Sequence, residues 1–299
     1  MESITTDQLE IAFETHGRRT TNMPIMLLHG FPDDATAWNE VGGRLAAAGR
    51  HAIAPHVRGC GPTRFLSKET PRSGQVAARA RDVVHLMDGL QIERAIVVGQ
   101  DWGAATAQAL AMLHPQRVDK LVVLNGHGLL NMAVFAQGKR PSWATFHAGW
   151  YQWLFQSAIA EPLLRQDAAG LARYLWQQWS PGWRFSEEVF AAVARSLANP
   201  DWVDVVLSAY RPPDADPHAD PRDAAAGRQL ATAPAITQPT LNLQGARDGV
   251  DLFEDTQLGQ EAFYRGGFRC ARLEGCGHFL QRERPDEVAS LLLEFFDDA

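Results

Sequence analysis

The sequence predicts an α/β fold: a doubly wound, mostly parallel sheet with an inserted helical cap. Three observations predict it. Short β-rich runs alternate with helical stretches through the first part, and two of the runs, Ala95-Ile-Val-Val and Lys120-Leu-Val-Val-Leu, are continuously apolar, as in strands buried on both faces. That rhythm stops from about His127 to Gln229, where helical segments hold seven of the nine tryptophans. It then returns at Pro239-Thr-Leu-Asn-Leu-Gln and Phe268-Arg-Cys-Ala-Arg-Leu. A strand–helix alternation of this kind closes into a layered α/β domain. The boundaries read as core 1–126, cap 127–229 and core 230–299.

In order, Leu9-Glu-Ile-Ala-Phe-Glu-Thr and Ile25-Met-Leu-Leu-His read as strands and Ala37 to Ala48 as a helix. His51-Ala-Ile-Ala-Pro reads as a strand and Gly74 to Leu90 as a helix, followed by the two apolar strands. The cap closes on Arg211 to Arg228, rich in Pro, Asp and Ala, which reads as a loop or linker. After the last two strands, Pro285 to Phe296 forms a final amphipathic helix.

Composition excludes several classes. The 299 residues are enough for one large domain, or for a core with an insertion, and 45% hydrophobic with 21% charged residues is ordinary for a globular chain. A net charge of −7 argues against nucleic-acid or anionic-membrane partners. No apolar run reaches the ~18 residues of a membrane span. The acidic, polar N-terminus has no signal-peptide core, so the expected location is the cytoplasm. Cys60, Cys270 and Cys276 are an odd number at no metal-ligand spacing, and read as reduced thiols with no bound metal.

The chemistry is concentrated in Gly99-Gln-Asp-Trp-Gly, set between an apolar strand and an alanine-rich helix. This has the form of a nucleophile elbow with Asp101 in place of serine. A carboxylate acylates poorly, but it displaces a leaving group at saturated carbon, forming an alkyl ester that water must cleave. An epoxide or an alkyl halide is the matching electrophile. His278, in a glycine-bounded loop between the last strand and the last helix, is the candidate base. Asp248, at the end of the penultimate strand, is its candidate partner, with Asp251 the competitor further from the strand end. His29-Gly-Phe-Pro follows a strand directly. There the N–H of Phe31 and that of Trp102 would form an oxyanion hole, with Pro32 after a cis peptide bond.

With these residues the chain resembles, over essentially its full length, the epoxide hydrolases of the α/β-hydrolase superfamily. The resemblance implies the α/β-hydrolase fold and two cap tyrosines that polarise the epoxide oxygen. Of four tyrosines, Tyr151 in Gly-Trp-Tyr-Gln-Trp and Tyr210 in Ser-Ala-Tyr-Arg match the family's segments; Tyr174 and Tyr264 do not. Phe31, Trp102 and Trp150 are expected to line the substrate pocket. A small apolar epoxide and water are the expected partners, no cofactor is implied, and a homodimer is allowed. Gln100, where the family often has His, and His56 with the Gly59-Cys-Gly-Pro-Thr-Arg turn depart from the usual pattern.

Haloalkane dehalogenases share the Asp elbow and are the alternative, but they usually carry Asn where this chain has Phe31, and they lack the paired tyrosines. Fluoroacetate-type dehalogenases need arginine where Trp102 stands. A ligand receptor on the same fold is the non-enzymatic alternative. An esterase would need a serine at the elbow.

Overall fold

The computed structural model describes residues 1–126, 130, 134, 138, 142–252 and 260–298. Its strands are β1 (Glu2–Thr5), β2 (Leu9–His16), β3 (Ile25–Leu28), β4 (Ala52–Pro55), β5 (Arg64–Phe65), β6 (Ala95–Gln100), β7 (Val118–Leu124), β8 (Thr240–Gly245) and β9 (Phe268–Leu273). They form one sheet in the order β1-β2-β4-β3-β6-β7-β8-β9, with β5 paired to β2. From β4 through β9 every pairing is parallel, while β2 is antiparallel to β1, β4 and β5. The central strands β3, β4, β6 and β8 are buried at every position, because helices cover both faces of the sheet.

On one face lie α2 (Val76–Gly89) and α3 (Trp102–Leu113), packed on Met26, Leu28, Val97, Leu121 and Val123. On the other, α1 (Asn39–Ala47) packs against the C-terminal helix, over Ile25, Leu27, Ile96, Val98 and Leu241. Between β7 and β8 the described chain is helical: α4 (Trp143–Ala148), α5 (Trp150–Leu154), α6 (Ala160–Trp179), α7 (Glu187–Leu197), α8 (Trp202–Tyr210) and α9 (Ala224–Ala231). Helix α6 is broken at Asp167, whose backbone is non-helical. The chain ends with α10 (Leu280–Glu283) and α11 (Pro285–Asp297). No described helix is long and apolar enough to cross a membrane. The first residues assigned to the cap, including His127, lie outside the described set.

Three details differ from the sequence reading. Strands β1 and β5 were not expected. Both are short and half exposed, and they exist through pairing with β2 rather than through an apolar pattern of their own. The helix expected over Ala37 to Ala48 begins as a 3-10 turn at Ala35–Trp38, capped by Asp34, which accepts from Thr36 N–H. The stretch read as a loop over Arg211 to Arg228 contains a 3-10 turn at Pro221–Asp223 and most of α9, which packs on α2 and α3. Asp220 and Asp223 are buried because they have partners: Asp220 pairs with Arg81 and Arg222 and accepts from Gln8, and Asp223 pairs with Arg81. Ion pairing thus orders a segment whose composition alone suggests a linker.

Candidate active site

Parallel strands deliver their C-terminal ends to one edge of the sheet, where α/β folds place their ligands. β3 leads to His29-Gly-Phe-Pro, β6 to Asp101, β8 to Asp248 and β9 to His278. The turn after β6 is tight. Asp101 has φ 52° and ψ −115°, a conformation disfavoured for a residue with a Cβ. The turn is possible because its flanks are glycines: a Cβ on Gly99 would sit 2.1 Å from the Gly103 carbonyl oxygen, and one on Gly103 would sit 2.0 Å from that of Leu28. The Asp101 N–H donates to the Leu124 and Asn125 carbonyls, locking the turn to the end of β7.

Asp101 Oδ1 accepts from the Phe31 N–H at 2.7 Å. The Phe31–Pro32 peptide is cis. Gly30 lies against Asp101 so closely that a Cβ there would meet the Asp101 Cβ at 2.4 Å. The Trp102 N–H heads α3, where helical N–H groups have no intrahelical acceptor. The second carboxylate oxygen, Oδ2, lies 3.6 Å from His278 Nε2, a gap too long for a direct hydrogen bond.

His278 is 1% exposed. Its Nδ1 meets Asp248 Oδ2 at 2.8 Å, while Asp248 Oδ1 accepts from the N–H groups of Val250 and Asp251. The carboxylate on the histidine is therefore Asp248, and Asp251 supports it through its backbone. Burial disfavours the imidazolium, but the Asp248 and Asp101 carboxylates overcome that, raising the His278 pKa above its ordinary value.

Both candidate tyrosines come to the same place. Tyr151 and Tyr210 meet edge to face at 5.4 Å between ring centroids, and Phe31 stacks on Tyr151 at 6.0 Å and meets Tyr210 edge-on at 5.7 Å. The Tyr210 hydroxyl accepts from Trp102 Nε1 at 3.0 Å, and that of Tyr151 from Gln152 Nε2 at 3.3 Å. Burial, then the negative charge of Asp101, pushes the Tyr151 phenol up; burial, Tyr151 and Asp101 push up that of Tyr210. Both are neutral O–H donors at ordinary pH. Phe31 and Trp102 stack at 5.2 Å in the same aromatic cluster. Trp150 borders it through Tyr151, its N–H donating to Gln178 and its ring edge-on to Tyr174.

Sequence reasoning missed two neighbours. Asn125, at the end of β7, donates from Nδ2 to the Gly277 and His278 carbonyls at 3.0 Å each and accepts the Gly245 N–H at 2.9 Å. It ties the ends of three strands to the histidine loop. The sequence signal was a polar residue closing an apolar parallel strand, set aside because it is no carboxylate. Trp179 has its ring 5.0 Å from His278 and 5.2 Å from Tyr151, and its buried Nε1 has no partner among the described residues. Among the seven tryptophans between β7 and β8 nothing in the sequence distinguished it. Gln100, one of the departures from the family pattern, donates to the His278 carbonyl at 3.2 Å.

Among the described residues, one group of buried side chains has the proximity of metal ligands: His29, His56 and Cys60. The donors do not fit. His29 Nε2 accepts the Val57 N–H, and its Nδ1 bonds the Gly30 carbonyl, so neither nitrogen has a lone pair to give.

Comparison with known proteins places the fold in a family. Residues 23–285 match the α/β hydrolase fold family. Epoxide hydrolase A of Mycobacterium tuberculosis is 28% identical over 305 residues, covering 91% of this chain and 89% of that one. An epoxide hydrolase of Caballeronia sordidicola is 28% identical over 290 residues, covering 91% and 86%. A crystal structure of a candidate epoxide hydrolase from Klebsiella pneumoniae superposes with a TM-score of 0.91 at 36% identity, covering 99% of this chain and 96% of that chain. The chain belongs to the α/β-hydrolase fold family and, within it, groups with the epoxide hydrolases.

Proposed function

We propose that the protein hydrolyses small apolar epoxides to vicinal diols through a covalent ester on Asp101. The observation that carries this reading is the pair of phenols that meet edge to face, Tyr151 buried and Tyr210 half-buried, both kept protonated by desolvation and by the Asp101 charge. An opening epoxide keeps its leaving oxygen, which is strongly basic. A phenol O–H donates to it weakly in the ground state and strongly as charge develops. In this mechanism Asp101 Oδ2 attacks a ring carbon, the C–O bond breaks, and a tyrosine protonates the alkoxide. His278, oriented by Asp248, then takes a proton from water, which attacks the ester carbonyl carbon. The developing oxyanion is held by the Phe31 and Trp102 N–H groups. Elimination of the tetrahedral intermediate expels the diol oxygen, which takes the proton from His278, and the proton left on the Asp101 carboxyl returns to the tyrosinate, so that Asp101, His278 and the tyrosine are all restored. The walls around the nucleophile, Phe31, Trp102, Phe155 and Trp202, are apolar and suit an uncharged substrate.

One observation favours halide chemistry instead. The Trp179 N–H, without a partner among the described residues, is the kind of donor a departing halide prefers. Against it, the other nearby indole N–H, that of Trp102, is already engaged by Tyr210. Assaying diol formation from epoxides beside halide release from haloalkanes tests the two. Faster halide release than epoxide opening would overturn the proposal.

A further inference from the structure

Arg79, on α2, is a buried cation that the mechanism above does not use. It is 6% exposed, and its Nε and Nη1 have no hydrogen-bond partner among the described residues. The carboxylate one turn along the helix, Asp82, is already taken: Arg58 grips both its oxygens at 2.6 Å. Burying an unpaired charge is strongly unfavourable, and burial lowers the Arg79 pKa to about 10. What faces the guanidinium is the ring of Trp102, with Cζ 4.5 Å from its centroid. The same indole donates from Nε1 to the Tyr210 hydroxyl. Guanidinium, indole and phenol thus form a chain running from α2 to the cap. A cation on the indole face draws electron density from the ring and makes its N–H a stronger donor. A phenol oxygen that accepts a stronger hydrogen bond becomes a better donor through its own O–H.

We propose that Arg79 is a positioning residue for Tyr210: through the Trp102 ring it orients and polarises the phenol, and its charge, in no ion pair among the described residues, favours the negative oxygen that develops as the epoxide opens. This rests on Tyr210 donating to the substrate oxygen, as proposed above. Neither Arg58 nor Asp82 competes for the role, because they neutralise each other.

The variants Arg79→Met and Arg79→Lys test it by two readouts. Methionine replaces an unpaired buried charge, so that variant is expected to fold at least as stably as the parent. The first readout needs no substrate. In the indole region of a ¹H–¹⁵N spectrum, with the Trp102 peak assigned from Trp102→Phe, Arg79→Met moves that peak toward a weaker hydrogen bond and Arg79→Lys largely restores it. A Trp102 peak left in place by Arg79→Met overturns the coupling, whatever the enzyme acts on. The second uses styrene oxide in single turnover. Arg79→Met slows ring opening about tenfold while KM stays within about twofold, and Arg79→Lys recovers most of the rate. In a Tyr210→Phe background the Arg79→Met loss shrinks to less than about twofold. An equal loss in both backgrounds assigns Arg79 a merely structural role and overturns the proposal. Absence of epoxide turnover by the unaltered protein would instead refute the proposed function, with the spectroscopic result still deciding the coupling.

Discussion

Asp101 Oδ2 and His278 Nε2 face each other across 3.6 Å. His278 Nε2 has no hydrogen-bond partner among the described residues, while Nδ1 is held by Asp248. The imidazole is close enough to serve a water directed at the Asp101 carbonyl carbon, yet it does not bind the nucleophile and blunt it. Asp101 in turn is held through Oδ1 by the Phe31 N–H, which leaves Oδ2 for attack. The two residues are therefore separable in their proposed roles, one for each half-reaction.

That separation predicts a trapped intermediate. His278→Gln should still form the ester but fail to hydrolyse it. Intact-protein mass spectrometry after addition of an epoxide should show the protein plus the whole substrate mass. An unmodified mass with turnover retained would refute the role given to His278.

The partner carboxylate can be tested in the same way. Asp248→Asn should slow ester hydrolysis far more than ester formation, because the amide no longer holds the tautomer that can deprotonate water; a loss on the order of 10⁴-fold is the precedent for such a change. Asp251→Asn, which leaves the 2.8 Å contact to His278 intact, should cost much less. The reverse ranking in a rapid-quench experiment would reassign the partner.

The His278 pKa shift predicts a difference between the two half-reactions. In the resting protein burial lowers this pKa, but the two carboxylates raise it further, so the ring holds its proton above the ordinary histidine range. Esterification removes the Asp101 charge, and with it part of what raises the pKa, so the ring gives up its proton more readily in the intermediate. Hydrolysis of the preformed ester should therefore rise with pH to a plateau, with a midpoint below the His278 midpoint of the resting protein. NMR titration of the resting state and single-turnover hydrolysis across pH supply the two values. A hydrolysis midpoint at or above the resting one would contradict this account.

The tyrosines predict a substrate-dependent loss. Tyr151→Phe and Tyr210→Phe should each slow ring opening by something like ~10²–10⁴-fold, softened if the partner takes over. The double variant should be nearly inactive on epoxides while still folded, since only two hydroxyls are removed. If it retains its rate, the phenols are packing residues and the Asp101 chemistry has another electrophile.

Asn125 predicts a loss of stability together with activity. Asn125→Ala would leave two carbonyl groups and one N–H, all contacts of Asn125 in the histidine loop and β8, without that partner. The His278 carbonyl keeps Gln100 as a donor, but the other two become buried orphans at about 1–3 kcal/mol each, so a drop in Tm of ~5 °C or more is expected for a domain of this size. A melt unchanged within a degree would mean that the loop holds His278 without Asn125.

Much of this was legible in one dimension. The uninterrupted apolar runs at β6 and β7 marked a sheet covered on both faces, because a strand with no polar side has nowhere to meet water. Gly99 and Gly103 around Asp101 marked a turn too tight for side chains. The spacing of Asp248 and His278 after the last two strands placed both at strand ends, since the ends of parallel strands share one edge. Composition misled at residues 211–228, where Pro and Asp suggested a linker. Buried pairs with Arg81 and Gln8 order the segment instead, and those partners lie more than a hundred residues away in the chain.

The sequence by itself determined the fold class, the position of the elbow and the residue types available for chemistry, because these depend on local periodicity, local sterics and chain order. Only the tertiary structure decided that the His278 ring meets Asp248, that Asn125 ties the histidine loop to the strand ends, and that Trp179 and Arg79 join the candidate site. Those choices depend on side chains converging from α2, α6, β7 and β8. That convergence follows from how helices pack over the sheet, and it leaves no periodic trace in the chain that brings it about.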